Sequence, residues 1–119
     1  MLPKTIRALL AIWAALIVAI PTHAQSVEDF YAGKTVSLYI GSSVGGGYDA
    51  YGRLVARHIG KYIPGHPTIV PLNMEGTGSL RLANWLYEAA PQDGTVFALL
   101  NRGVAFVPLL GEQQFAQFD

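Results

Sequence analysis

The stretch from Thr35 to Tyr62 sets the architecture that the rest of the chain must serve. An apolar run from Thr35 to Gly41 breaks into Ser42-Ser43-Val44-Gly45-Gly46-Gly47-Tyr48-Asp49, after which apolar residues recur at helical spacing. Strand, glycine loop and helix are the elements this pattern encodes. Adjacent glycines free the backbone of Cβ atoms, so it can adopt positive φ and admit a ligand close to the main chain. Asp49 stands where a helix N-cap is expected, accepting from the free N–H groups of the first turn. Those groups, with the positive end of the helix dipole, favour an anion. Neither lysine nor arginine occurs between Gly41 and Gly52, so an anion held here would rest on amides, hydroxyls and water. That suits a small carboxylate better than a polyphosphate.

The beginning of the chain has a different character. Lys4 and Arg7 precede an apolar run from Ala8 to Ile20, about the length of a signal-peptide core and shorter than the roughly 20 residues of a membrane-spanning helix. Thr22-His23-Ala24 offers small residues at the positions a signal peptidase reads, and cleavage is expected between Ala24 and Gln25. The alternative is an uncleaved anchor, which Pro21 and the polar residues after it disfavour. Of the eight basic residues, loss of Lys4 and Arg7 leaves six against eight acidic ones. A weakly acidic chain without a basic stripe argues against nucleic acid as a partner. The absence of cysteine excludes disulfides, thiolate chemistry and a lipid-modified cysteine. Removing 24 of the 119 residues leaves 95, enough for one small core. The expectation is an exported product, free in the periplasm and without stable membrane insertion.

Val27, Phe30 and Tyr31 form a short amphipathic turn ended by Gly33, expected to cover a sheet edge. In the first long helix, Tyr51, Leu54, Val55, His58, Ile59 and Tyr62 fall on one stripe, with Arg53, Arg57 and Lys61 off it. Pro64-Gly65-His66-Pro67 turns the chain into a second strand, Thr68 to Asn73, where Pro71 points to an edge position. Met74 to Ser79 is a second glycine-bearing loop, Leu80 to Ala90 a second helix, and Pro91 to Gly94 a tight turn. Thr95 to Leu100 is a third strand and Asn101 to Gly103 a third loop; Val104 to Leu110 reads as a short helix interrupted at Pro108. Strand, helix, strand, helix, strand with connections of this length implies right-handed crossovers in a parallel sheet, and order 2-1-3 is the simplest solution. The cleft then opens at the carboxyl ends of strands 1 and 3, where the topology switches.

The signal peptide, the Gly45-Gly46-Gly47-Tyr48-Asp49 exit, the loop from Asn73 to Ser79, and Ala90-Pro91-Gln92-Asp93-Gly94 together resemble the extracytoplasmic receptors of tripartite tricarboxylate transporters, the Bug or TctC family. The likeness spans most of residues 30–110. It implies an α/β fold: a three-layer parallel sheet forming one lobe of a type II, periplasmic-binding-protein-like receptor. Such a receptor closes on a small carboxylate and delivers it to membrane permease subunits. The site positions it implies are Ser43, Val44, Gly45, Gly46, Gly47, Tyr48 and Asp49, then Gly76, Thr77, Gly78 and Ser79, then Asn101, Arg102 and Gly103. Family members commonly carry proline and alanine where this chain has Ser43 and Val44, and Asn-Arg-Pro-Gly where it has Asn73-Met74-Glu75-Gly76. These departures leave the solute open. A two-lobed receptor needs roughly twice this length, so residues 25–119 are expected to be the N-terminal lobe of a truncated copy. Val104, Phe106, Phe115 and Phe118 would then lack partners.

The same glycines permit another reading. Gly45-x-Gly47-x-x-Ala50 fits the dinucleotide fingerprint of a Rossmann-like nucleotide-binding enzyme, with Glu75 placed for a ribose hydroxyl. Against it, the glycines do not follow the strand directly, and export removes the chain from the cytosolic nicotinamide pool. A blander alternative makes the glycines turn residues only. Asp49 reads as a cap, since its charge would repel an anionic solute. Tyr48 either stacks on a ligand or covers the loop, and Arg102 either pairs with a distal carboxylate or is solvated. His58 is expected in the core and His66 in its turn, too few and too scattered for a metal site. With no nucleophile beside a base and no carboxylate pair, neither catalysis nor a cofactor is expected.

Overall fold

The computed structural model describes residues 24–110 and 115–118, with Pro3. The expected signal segment, residues 1–24, lies outside the described residues except at Pro3 and Ala24. Helix α1 is Val27–Tyr31, β1 Thr35–Ile40, α2 Gly47–Ile59, β2 Thr68–Asn73, α3 Leu80–Glu88 and β3 Val96–Leu99. Short 3-10 turns occupy Gly60–Tyr62, Thr77–Ser79, Val104–Phe106 and Pro108–Leu110. The strands form one parallel sheet in the order β2-β1-β3, as the crossover pattern implies.

Alternation along β1 divides the sheet into two faces. Val36, Leu38 and Ile40 are all at most 2% exposed. Leu38 and Ile40 form a core with Ala56 of α2, against which Tyr48, Val55, Ile69 and Phe97 pack. On the opposite face Tyr39 meets Trp85 of α3, with ring centroids 4.6 Å apart. The sheet thus carries α2 on one face and α3 on the other. A second cluster joins Leu80 and Ala83 of α3 to Val104, with Leu100, Val107 and Phe118 packed around it. Asn84 fastens the segment beyond residue 114 to α3: its amide nitrogen donates to the Phe115 carbonyl at 2.8 Å, and its oxygen accepts from Gln117 N–H at 3.0 Å. Val104 and Phe118 therefore have partners, contrary to expectation, whereas Phe106 and Phe115 are exposed.

Pro71 occupies the edge strand at a tolerant position. Thr68 N–H donates to Lys34 O and Met74 N–H to Ile40 O, so the period-two alternation turns the backbone groups of Ile69, Pro71 and Asn73 away from β1. The N–H that proline lacks would have pointed outward, and no ladder bond is lost.

Two expectations fail on packing. The stripe assigned to α2 is displaced: Tyr51, Leu54, His58 and Tyr62 are exposed, and the buried positions are Asp49, Gly52 and Ala56. Small residues let the helix approach the sheet, and a Cβ on Gly52 would stand 2.6 Å from Ile40 Cδ1. Large side chains at 51, 54 and 62 could not fit that interface and turn outward. Helix α1 closes the amino end of the sheet instead of covering an edge. Tyr31 donates its hydroxyl to Gly94 O in the turn before β3, and Gly65 in the turn before β2 lies under the α1 backbone, where a Cβ would come 2.5 Å from Glu28 O.

Candidate functional site

The loops leaving β1, β2 and β3 meet at the carboxyl end of the sheet, where the strand order reverses. Ser79, 1% exposed, is the joint. Its hydroxyl donates to Gly41 O at 2.8 Å and accepts from Asn101 N–H at 2.9 Å, tying the exits of β1 and β3 to the start of α3. The chain reaches Ser79 through an unusual run: Gly76, Thr77, Gly78 and Ser79 have φ of 147°, 44°, 60° and 81°. Glycine adopts this region freely, but threonine and serine are strained in it. Across the crevice, Arg102 N–H donates to the Tyr48 hydroxyl at 3.3 Å, joining the third loop to the first turn of α2. The Tyr48 hydroxyl is thus a tether between the two loops.

Helix α2 begins earlier than the aspartate implied. Gly46 is the N-cap, with φ −77° and ψ 169°, and Ala50 N–H closes the first helical bond on its carbonyl at 2.9 Å. Asp49 lies three residues inside and reaches back, its Oδ2 accepting from Gly45 N–H at 2.8 Å, much as a capping-box acid does. Arg53 Nε binds both carboxylate oxygens, at 3.0 and 3.1 Å, and Asn73 Nδ2 donates to Oδ1 at 2.9 Å. Asn73 also donates to Ser42 O at 2.9 Å and accepts from Arg53 at 2.7 Å. This network links the first loop, α2 and the end of β2. The Arg53 hydrogen bonds, then Gly45 N–H and Asn73, hold the Asp49 carboxyl down at about 2, with burial opposing them. Its charge is matched by Arg53, so Asp49 does not repel an anion as a free carboxylate would. Neither Arg53 nor Asn73 was among the sequence-derived site residues. An asparagine ending a strand beside a glycine loop was the one signal for them.

The amide N–H groups of Gly47, Tyr48 and Asp49 have no acceptor among the described residues. At the same end of α2 lies a shallow, almost wholly apolar cavity of about 350 Å³ lined by Gly47, Tyr48, Tyr51 and Leu99. Ser43, Val44, Gly45 and Gly47 are exposed. Only Gly45 of the three glycines has positive φ, 85°. In the second loop Thr77 and Gly78 are exposed and Gly76 is half-buried; Ser79 is too buried to touch a solute. In the third, the Asn101 side chain turns back to accept from Gly103 N–H at 2.9 Å, while Arg102 is exposed. Arg102 forms no ion pair among the described residues. The buried Ser42 hydroxyl has no hydrogen-bond partner among the described residues.

Two features bear on the other chemistries considered. Close helix–strand packing falls at Gly52, whereas Ala50, the third position of the nucleotide fingerprint, is exposed. Among the described residues no cluster of three metal-ligating side chains occurs, and no helix is long and apolar enough to cross a membrane. A larger cavity, about 630 Å³, lies elsewhere, between α3 and the turns after β3, with Leu86, Leu100, Val104 and Phe118 in its wall. It lies away from the exits of β1 and β2 and from the first turn of α2. In comparisons with known proteins, the chain matches no protein-family model, no curated protein and no solved structure.

Proposed function

We propose that residues 25–119 act as a receptor lobe that binds a small carboxylate at the carboxyl end of the sheet. The observation that carries this reading is the set of first-turn amides of α2 that have no acceptor among the described residues, at the topological switch point and beside an aspartate already neutralised by Arg53. A carboxylate fits donors of this kind, and crevices at this position are where open α/β sheets hold ligands. Together with the motif resemblance, this supports assignment to the type II solute-binding receptors of tripartite tricarboxylate transporters. The chain would be exported to the periplasm and would hand its solute to membrane permease subunits. Arg102, exposed on the third loop, is placed for a distal carboxylate of the solute.

The loops are exposed, so contacts to a solute in this lobe stay wet, and affinity near the millimolar range is expected, about −4 kcal/mol. The test is a titration of the isotope-labelled chain with acetate, succinate and citrate, following backbone amide shifts. Saturable shifts at Gly47 and Tyr48 are expected, absent with chloride, and at least about tenfold weaker in Gly46→Val. Gly46 has φ −77° and its added Cβ meets only Ser43 O, at 3.5 Å. The backbone therefore accepts a Cβ, and a loss in a variant whose circular dichroism shows α2 retained reports obstructed approach. Unmoved amides, or equal affinity in the variant, would reject the assignment.

A further inference from the structure

The face of α2 that turns away from the crevice carries a second feature, independent of the carboxylate reading. From Ala50 to Met74 the chain has Arg53, Arg57, Lys61 and two histidines, and not one carboxylate. Arg53 and Arg57 stand at i, i+4 on α2 and Lys61 follows in the 3-10 turn Gly60–Tyr62, a run of like charge that is unfavourable unless something outside it answers the charge. Asp49 neutralises Arg53. Arg57 donates Nε to the Arg53 carbonyl at 3.3 Å, which leaves its charge uncompensated, and Arg57 and Lys61 form no ion pair among the described residues. The C-terminal end of the helix dipole offers about half an elementary charge, and the Tyr62 ring, its centroid 4.9 Å from Lys61 Nζ, a cation–π contact, against the two that remain.

These cations border a groove. Two adjoining cavities of about 380 Å³ each run between α2 and β2 and share Ala56, Arg57 and Ile69. Pro71 lies at one end, and Lys61 with His66 at the other. The wall on the β2 side is the open edge of the sheet. Because Pro71 has no N–H, that edge cannot zip up a continuous added strand, so side chains must supply most of the hold on an occupant: an apolar contact on Ala56, Ile69 and Pro71, and anions against Arg57 and Lys61.

We propose that this groove docks an acidic segment of a partner protein, one with carboxylates flanking an aliphatic residue. Charge complementarity selects the sign, and the apolar floor between the cations selects a peptide with an aliphatic anchor over a flat anionic surface. The test uses a short labelled peptide of glutamates around a central leucine, its lysine counterpart, and phosphatidylglycerol vesicles, each titrated against the chain by fluorescence anisotropy or sedimentation. The glutamate peptide is expected to bind, to weaken with added salt, and to lose at least about tenfold in affinity to Arg57→Glu/Lys61→Glu. Arg57→Gln/Lys61→Gln should fall between, with circular dichroism showing the fold retained. Equal binding of the lysine peptide, indifference to the charge reversal, or capture by vesicles without peptide binding would overturn the proposal. So would self-association that depends on Arg57 and Lys61 in the absence of peptide binding.

Discussion

The chain leaves β1 and β2 through two glycine-bearing loops that are held in place by different means. The first, Ser42 to Gly46, relies on charge: Asp49 gathers Gly45 N–H, Arg53 and Asn73, and Asn73 passes the connection to Ser42 O. Backbone strain there is confined to Gly45, which tolerates it. The second, Gly76 to Ser79, relies on conformation, with four successive residues at positive φ secured by one buried hydroxyl. The first loop should therefore tolerate changes in shape but not in charge, and the second the reverse. Both end at the same crevice, where strained backbone persists only if its surroundings over-determine it.

The largest effect expected from this contrast follows from adding one methyl group at the joint. In Gly41→Ala the new Cβ would lie 2.6 Å from Ser79 Cβ and 3.2 Å from its Cα, so backbone must move and both Ser79 hydrogen bonds are disturbed. A loss of about 3 kcal/mol in urea unfolding is expected. The matching change just past the first loop, Gly47→Ala at the start of α2, meets nothing within 4 Å and should stay within about 0.5 kcal/mol. Equal effects at both positions would erase the distinction.

Removing the hydroxyl comes next. Ser79→Ala leaves Gly41 O and Asn101 N–H unpaired in a buried setting, at a cost of about 2 kcal/mol. Hydrogen exchange should accelerate at Asn101 and not at Gly45, whose partner is the Asp49 carboxylate. Acceleration at both amides would mean that the loops are one cooperative unit.

Part of this contrast was legible in the sequence. The bounds of β2, the edge position of Pro71 and the 2-1-3 order follow from local turn chemistry and crossover lengths, and they stand in the structure. Convergence of the three loops at the switch point follows from the same topology. What escaped was whatever depends on how closely elements approach. Gly52 and Ala56 bury α2 because they are small, while a hydrophobic stripe rewards large residues and therefore selected Tyr51 and Leu54. Asp49 was read as a cap because its partners come from elsewhere: Asn73 lies 24 residues on. Ser79 looked like a loop hydroxyl available to a solute, and only the structure shows it buried between two strand ends.

A smaller effect is expected from acid, and it should act on one loop alone. Asp49 has its pKa lowered in the folded chain, from 3.8 to about 2, so the unfolded chain takes up its proton first. The stability it supplies is complete above the unfolded value and is lost as pH falls from about 4 toward 2. Arg53 is partly solvated, and screening keeps the loss below that of Ser79→Ala. Asp93, lowered by the Thr95 hydroxyl and N–H, contributes with the same sign. Asp49→Asn should therefore flatten the acid limb of stability against pH more than Asp93→Asn does. An unchanged slope in Asp49→Asn would remove charge as the means by which the first loop is held.

The smallest effect should carry the opposite sign. Thr77 sits at φ 44° with an exposed side chain, a conformation that costs an L residue about 1–2 kcal/mol, and β-branching adds to the crowding. Thr77→Gly relieves this strain but gives the unfolded chain more freedom, which offsets about 0.4–1 kcal/mol. A net gain of about 0.5–1 kcal/mol is expected, with Thr77→Ala falling between because it removes the branch and retains the Cβ. If the second loop is held by conformation, each step toward glycine should raise the urea midpoint without changing hydrogen exchange at Asn101, since Ser79 and its two bonds stay in place. A loss of stability in Thr77→Gly would show that threonine contacts, and not the left-handed backbone, keep the loop in position. The strain at Thr77 would then be incidental to the joint that Ser79 makes.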